Sequence, residues 1–148
     1  MIIEKLSTEN SREVAELSVA LWPDADLTDQ LSYYSRMVGA EHATCYLIRD
    51  ESAPLGFIEL SLRSDHVAGS RSSPTAYIEG LYVRPENRNQ DIGRALINLG
   101  EQWAMAHGLN QLASDSEIFN AQGIAFHIAV GFEEAVRTVH FIKEIGTN

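Results

Sequence analysis

Hydrophobic positions along the chain change their period several times, and each change marks an element. In residues 11 to 21, "SREVAELSVAL", Val14, Leu17 and Leu21 recur at three- and four-residue intervals, as on one face of a helix. Asn10 and Glu13 stand at the spacing of a reciprocal capping pair, and Trp22-Pro23 closes the segment. "LTDQLSYYSRMVG" keeps the interval at Leu27, Leu31, Tyr34 and Val38 and stops at Gly39, which predicts a short second helix. The period then falls to two. "ATCYLIRD" and "LGFIELSLR", joined by the turn "ESAP", predict two antiparallel strands. In the second, Leu55, Phe57, Glu59 and Ser61 alternate with Gly56, Ile58, Leu60 and Leu62, so one face is apolar and the other mixed.

Beyond the polar loop "SDHVAGSRSSP" lies a third strand, "TAYIEGLYV". The helix after it places Ile92, Leu96, Leu99, Trp103 and Ala106 on one stripe and ends at Gly108. A short strand around "LNQLAS", a loop "DSEIFN", a helix near residues 121 to 130 closed by Gly131, and a last strand from Phe132 to Ile142 complete the chain. There is no repeat, low-complexity tract or linker, so residues 1–148 read as a single domain. The order of elements predicts an α+β fold with a mixed sheet.

Composition narrows the function more than the fold. With 45% hydrophobic and 22% charged residues, the 148-residue chain can bury an adequate core. No run approaches the roughly 20 apolar residues of a membrane span, and "MIIEKLSTEN" lacks the basic-then-apolar order of a signal peptide, so a cytoplasmic protein is expected. The 21 acidic against 11 basic residues, a formal charge of −10, disfavour a nucleic-acid partner and suit a cationic one. The single cysteine, Cys45, sits in the apolar run "ATCYLI" and reads as a buried structural thiol; no metal-ligand spacing is present.

One junction stands out chemically. "VRPENRNQDIGRAL", residues 83 to 96, runs from a strand through a polar turn into a helix, where free N–H groups and the positive helix end can hold phosphate. "GLYVRPENRNQDIGRALI" resembles the acetyl-CoA signature of the GCN5-related N-acetyltransferases, the GNAT family, and "NAQGIAFHIAVGFEE" resembles that family's second recurrent segment. More narrowly, "LWPDAD", "SSPTAYIEGLYVRP", "ASDSEIFN" and "GFEEAVR" are similar to short aminoglycoside 6'-N-acetyltransferases. The resemblance implies a mostly antiparallel mixed sheet, splayed in its middle, with helices on both faces. It also implies substrate contacts at Trp22, His66, Glu79 and Asp115, with Glu79 and Asp115 the candidate catalytic carboxylates. Acetyl-CoA would be the co-substrate. Its backbone contacts would lie at Leu81, Tyr82 and Val83, its phosphates along Arg88, Asn89, Gln90, Asp91, Ile92, Gly93 and Arg94, and a pantetheine contact at Asn120.

Each residue has a plainer reading too. Glu79 is a carboxylate in a run that otherwise reads as buried strand, where an acid is costly unless paired or working; it can lie at a solvent edge or pair with an arginine. Gly80 beside it predicts a bulge or a close backbone approach. Asp115 can cap a turn, Trp22 can be a core aromatic, and His66 can be a surface residue of a polar loop. Asp91 occupies a position where the family pattern has glycine; Asp tolerates left-handed backbone, but its charge would repel phosphate unless it points outward or pairs with Arg88 or Arg94. His127 stands four residues before Gly131, where many family members carry a tyrosine, and reads as a partly buried polar residue or a general acid.

The chemistry so implied is direct transfer. The Leu81 N–H would polarise the thioester carbonyl, Glu79 would draw a proton from the amine through water, and no acyl-enzyme nucleophile is needed. Two departures, Val136 in place of an acid and Ala25 in place of a polar residue, leave open another polyamine, a metabolite amine or a protein amine as substrate. Asp91 leaves open a silent acyl-CoA-binding module. The apolar last strand predicts a homodimer by pairing across a two-fold axis.

Overall fold

Strand alternation sorts the chain's apolar and polar side chains onto the two faces of a five-stranded sheet. The computed structural model describes residues 1–146. In chain order it contains β1 (Ile2–Lys5), α1 (Ser11–Leu21), α2 (Leu27–Met37), β2 (Ala43–Arg49), β3 (Pro54–Arg63), β4 (Thr75–Val83), a 3-10 turn (Pro85–Asn87), α3 (Ile92–Ala106), β5 (Leu112–Ala113) and α4 (Ala121–Ala129). The chain divides into two compact units, Met1–Asp115 and Ser116–Asn148.

In the first unit the strands lie in the order β1-β2-β3-β4-β5. The first three pairings are antiparallel and the last is parallel. Leu6, Val14, Leu17, Tyr34, Met37, Cys45, Leu47 and Phe57 make one buried cluster, which puts α1 and α2 on the face of odd-numbered β2 and β3 residues. On the other face, Gly100 of α3 lies so close to Ile58, Leu60 and Leu112 that an added Cβ would sit 3.2–3.4 Å from their side chains. The sheet is therefore covered on both sides, as expected. The buried stripe of α3 runs through Ile92, Leu96, Ile97, Gly100, Trp103 and Ala104. It is rotated from the predicted one, away from Leu99 and Ala106, because Gly100 lets the helix press against the sheet.

Three local expectations need correction. Asn10 and Glu13 form no capping box: Asn10 Oδ1 accepts from Ser7 N–H and its Nδ2 donates to the Lys5 carbonyl, while Glu13 pairs with Arg49 at 2.7 Å. The Asn10 bond to Lys5 ties β1, not foreseen from the sequence, to the start of α1, and the Glu13–Arg49 pair ties α1 to β2. The strand expected from Phe132 to Ile142 does not form. Residues 133 to 146 are exposed, with Phe141 and Ile142 at 92% and 95% exposure. A strand exists only where another strand completes its hydrogen bonds, and these residues have none among those described.

The second unit contains α4, opened by Asn120, whose side-chain oxygen accepts from Gly123 N–H at 2.9 Å. Gly131 ends that segment with φ +102°. No helix among the described residues is long and apolar enough to cross a membrane.

Candidate active site

The parallel pairing of β4 with β5 covers only Ala76↔Leu112 and Tyr77↔Ala113. From Ile78 onward, β5 leaves the edge of β4 unpaired. Arg84 N–H donates to Leu55 O at 2.8 Å. By the two-residue alternation of an antiparallel ladder, the N–H groups of Leu81 and Val83 therefore point away from β3, toward that open edge. This is the splay expected of the fold, and it begins one residue before Glu79.

Glu79 itself is displaced by a bulge. Glu59 pairs with Gly80 and Leu60 with Ile78, so Glu79 is the extra residue on β4. Gly80 meets both expectations raised by the sequence, since it borders the bulge and also lies under Trp22. A Cβ built there would sit 2.6 Å from Trp22 Cη2 and 2.9 Å from its Cζ2. Trp22 caps the end of α1, donating its N–H to Ser18 O at 2.7 Å, and remains 36% exposed. Glycine lets the indole lie on the strand backbone beside Glu79.

The Glu79 carboxylate is occupied. Arg63 donates two hydrogen bonds to it, Nε to Oε2 at 2.8 Å and Nη2 to Oε1 at 2.6 Å, and Ser61 Oγ donates a third at 2.5 Å. Burial by itself would raise its pKa; the Arg63 and Ser61 hydrogen bonds and the guanidinium charge outweigh that and hold it below the ordinary carboxylate range. The pairing with arginine, one of the plainer readings of Glu79, is thus present without sealing the residue away. Arg63 also lies 3.5 Å over the Tyr77 ring, and the Tyr77 hydroxyl donates to Asp115. Through Arg63 and Tyr77 the two candidate carboxylates belong to one cluster.

A second acid stands on the same face of the sheet. Glu59 is 3% exposed and accepts from Tyr33 Oη and Tyr34 Oη, each at 2.7 Å. A cavity of about 330 Å³ is lined by Trp22, Ala25, Gln30, Tyr33, Tyr34, Glu59 and Glu79. A larger hollow of about 720 Å³, bordered by Lys5, Tyr46, Trp103 and His107, has one carboxylate, Glu41, and no residue of β4. The acids of β3 and β4 converge on the smaller one.

The remaining predicted residues are placed less uniformly. His66 is exposed in the loop after β3, makes no hydrogen bond among the described residues and is not part of the cavity lining. Asn89 and Asp91 both have left-handed backbone, φ 63° and 64°, and Asp91 precedes α3 without capping it through its side chain. It pairs with neither Arg88 nor Arg94 in any salt bridge of the described residues, and its side chain is exposed. Arg88 donates to Val83 O at 2.9 Å, bracing the turn, and Gln90 is exposed. Ile92 is buried, and Gly93 and Arg94 complete the first turn of α3. In the second unit, Asn120 spends its oxygen on the α4 cap, which leaves its NH2 to donate. His127 bonds through Nδ1 to Gly123 O and packs between the Phe126 and Phe132 rings, as a partly buried polar residue would. Cys45 is fully buried, and burial and Glu59 push its thiol pKa up, which agrees with a structural role.

Sequence reasoning named Glu59 only as part of an alternation and did not name Arg63, Tyr33, Tyr34 or Tyr77 as site residues. A signal existed for the first two: on the mixed face of β3, Glu59 and Arg63 are two residues either side of Ser61.

Comparison with known proteins gives a consistent picture. Residues 9–132 match the acetyltransferase (GNAT) family. The chain is 40% identical over 128 residues to an aminoglycoside N(6')-acetyltransferase type 1 of Stenotrophomonas maltophilia, covering 86% of this chain and 82% of that one. It is 35% identical to the enzyme of the same name from Serratia marcescens, over 88% and 90% of the two chains. Among solved structures, AAC(6')-Iy in complex with the bisubstrate analog CoA-S-monomethyl-acetylneamine superposes with a TM-score of 0.91 at 27% identity, over 97% and 98% of the chains. AAC(6')-Ih from Acinetobacter baumannii gives 0.88 at 32% identity, over 98% and 99%.

Proposed function

This chain belongs to the acetyltransferase (GNAT) family, and on that premise we propose that it transfers acetyl from acetyl-CoA directly to the 6'-amino group of aminoglycosides. The observation that carries the reading is the coincidence of two features at one point of β4: the bulged Glu79, and the start of the edge that β5 leaves unpaired. An extended pantetheine arm can pair with that edge as an added strand would. The Leu81 N–H, pointing outward, then faces the thioester carbonyl oxygen, and the cation-binding cluster lies alongside.

In the reaction the free amine attacks the thioester carbonyl, the C–N bond forms, the C–S bond breaks, and the amine loses a proton as the thiolate leaves. Glu79 accepts that proton through water. Arg63 keeps Glu79 ionised, the form that can accept a proton, while making it a weaker base. Asp115 and Trp22 line the approach of the amine. The turn at 88–94 offers the backbone N–H groups at the start of α3 to the cofactor's phosphates. Its fit depends on left-handed backbone at Asn89 and Asp91, which both residues tolerate. His66, exposed in its loop, has less support as a substrate contact than the other three.

Both units are read as parts of one domain, since the family match runs across their boundary at Asp115 and Ser116. Dependence on acetyl-CoA fits a cytoplasmic protein. A homodimer is supported by the exposed apolar side chains Val136, Val139, Phe141, Ile142 and Ile145, which a second copy would cover. Of the alternative substrates, another polyamine, a metabolite amine or a protein amine, one observation favours the less cationic: Arg63 already neutralises Glu79 and so reduces the free negative charge.

The test is CoA release with a panel of amines. Glu79→Ala and Asp115→Ala should cut turnover of kanamycin-like substrates at least tenfold more than they change acetyl-CoA affinity. Equal losses on both would mean that these residues serve folding instead.

A further inference from the structure

The two carboxylates of the cavity differ in what balances them. Glu79 is neutralised by Arg63 at 2.6 Å. Glu59, nearly fully buried, has no cation partner among the described residues and receives only the hydroxyl hydrogens of Tyr33 and Tyr34. Hydroxyl donors stabilise a carboxylate without cancelling its charge. A buried acid left in this condition is costly, and a cation brought to the cavity would relieve that cost. Tyr33 is 43% exposed and lines the cavity, so its ring is the surface that a bound group would meet above Glu59.

We infer that Glu59, presented behind Tyr33 and Tyr34, is a specificity-determining anchor for a second positive charge on the substrate, separate from the amine that is acetylated. The inference rests on the acetyltransferase reading above and deepens it: it selects amines that carry at least two positive charges over monoamines of similar size. Glu79 and Arg63 form a neutral pair, so Glu59 supplies the cavity's net charge. Burial, with the nearby Glu79 charge, raises the Glu59 pKa above the ordinary carboxylate value despite the two tyrosine hydrogen bonds; a cation nearby favours the ionised form.

The experiment uses the full chain with acetyl-CoA and compares Glu59→Gln with the unaltered protein on kanamycin, a polycation, and on 6-amino-6-deoxyglucose, a monoamine that carries the same acceptor amine. For kanamycin the variant should lose at least about tenfold in kcat/KM at low salt, a lower bound for one unit charge at a few ångström in an effective dielectric of about 20 once the cation's lost hydration is deducted. The loss should shrink as salt rises, and the 6-amino-6-deoxyglucose rate and the acetyl-CoA KM should stay within about twofold. An equal loss on both amines, or none on kanamycin, overturns the inference. If Glu59→Gln does not fold, Tyr33→Phe, altered at a half-exposed position, decides instead. By removing one of the two hydroxyl donors that favour the ionised carboxylate it should give a smaller loss, about threefold, on kanamycin alone, and an unchanged kanamycin rate overturns the inference. Failure of the unaltered protein to acetylate kanamycin would instead remove the parent reading, which keeps the two outcomes distinguishable.

Discussion

Replacing Asp91 by asparagine isolates an electrostatic penalty in the phosphate-binding turn. The residue has φ 64° and ψ 12°, is exposed, and immediately precedes α3. Asparagine occupies left-handed backbone as readily as aspartate, so the substitution removes charge and leaves the turn in place. At a separation of about 6 Å and an effective dielectric of about 20, one unit charge repels another by about 3 kcal/mol; screening at about 0.15 M salt reduces this to about 1 kcal/mol. The expected result is an acetyl-CoA KM lowered roughly 5-fold near physiological salt, and more at low ionic strength. Asp91→Gly should show the same gain. Its thermal midpoint should stay close to that of the unaltered protein, because relief of the left-handed backbone and the extra freedom of unfolded glycine, each about 1 kcal/mol, oppose each other. Initial rates of CoA release over a salt series check the effect, with desulfo-CoA binding as a second measure. An acetyl-CoA KM that does not change at low salt in Asp91→Asn would refute the electrostatic reasoning.

Two further outcomes follow from the geometry. Gly80→Ala places a methyl group 2.6 Å from Trp22 Cη2, which should cost about 1–3 kcal/mol by overpacking and show as a lower thermal midpoint. The displaced indole should weaken amine binding more than acetyl-CoA binding, so equal effects on both would count against Trp22 as a wall of the cavity. Arg63→Met tests the linkage between the ion pair and pH. Glu79 has its folded pKa depressed below the ordinary carboxylate range, so its pair stabilises the fold above that range and its contribution is lost as pH falls through the folded value. Urea unfolding from about pH 7 to about pH 3 should show the unaltered protein losing more stability than the variant; parallel curves would contradict the assignment.

Much of this architecture was legible in the sequence because the physics involved is local. The alternation in β3, with Phe57, Glu59 and Ser61 on one side and Ile58 and Leu60 on the other, survives intact in the structure, and the two sets face α1–α2 and α3 respectively. Gly80 announced a close approach, which proved to be the Trp22 ring. Other features depend on partners far away in the chain. Tyr33 and Tyr34 reach Glu59 from 26 and 25 residues away, and no period in α2 says which strand lies beneath it. Arg63 reads locally as the polar end of a strand; only the bulge at Glu79 brings the two together. β1 was missed because "IIEK" is too short to show a period, and its register is fixed by β2. The failed strand after Phe132 marks the converse case: apolar residues suggested pairing, but sequence propensity supplies no partner.

The double-sided use of β3 has an evolutionary consequence. Inserting or deleting one residue near the start of Pro54–Arg63, unless absorbed in a bulge as at Glu79, would invert the side chains beyond it, turning Glu59 and Ser61 beneath α3 and Ile58 and Leu60 toward the tyrosines of α2. Folding and acid chemistry would then be lost in a single step, so changes of length that no bulge absorbs are closed to this segment. Diversification of the chemistry must proceed there by substitution on the mixed face, one alternate position at a time.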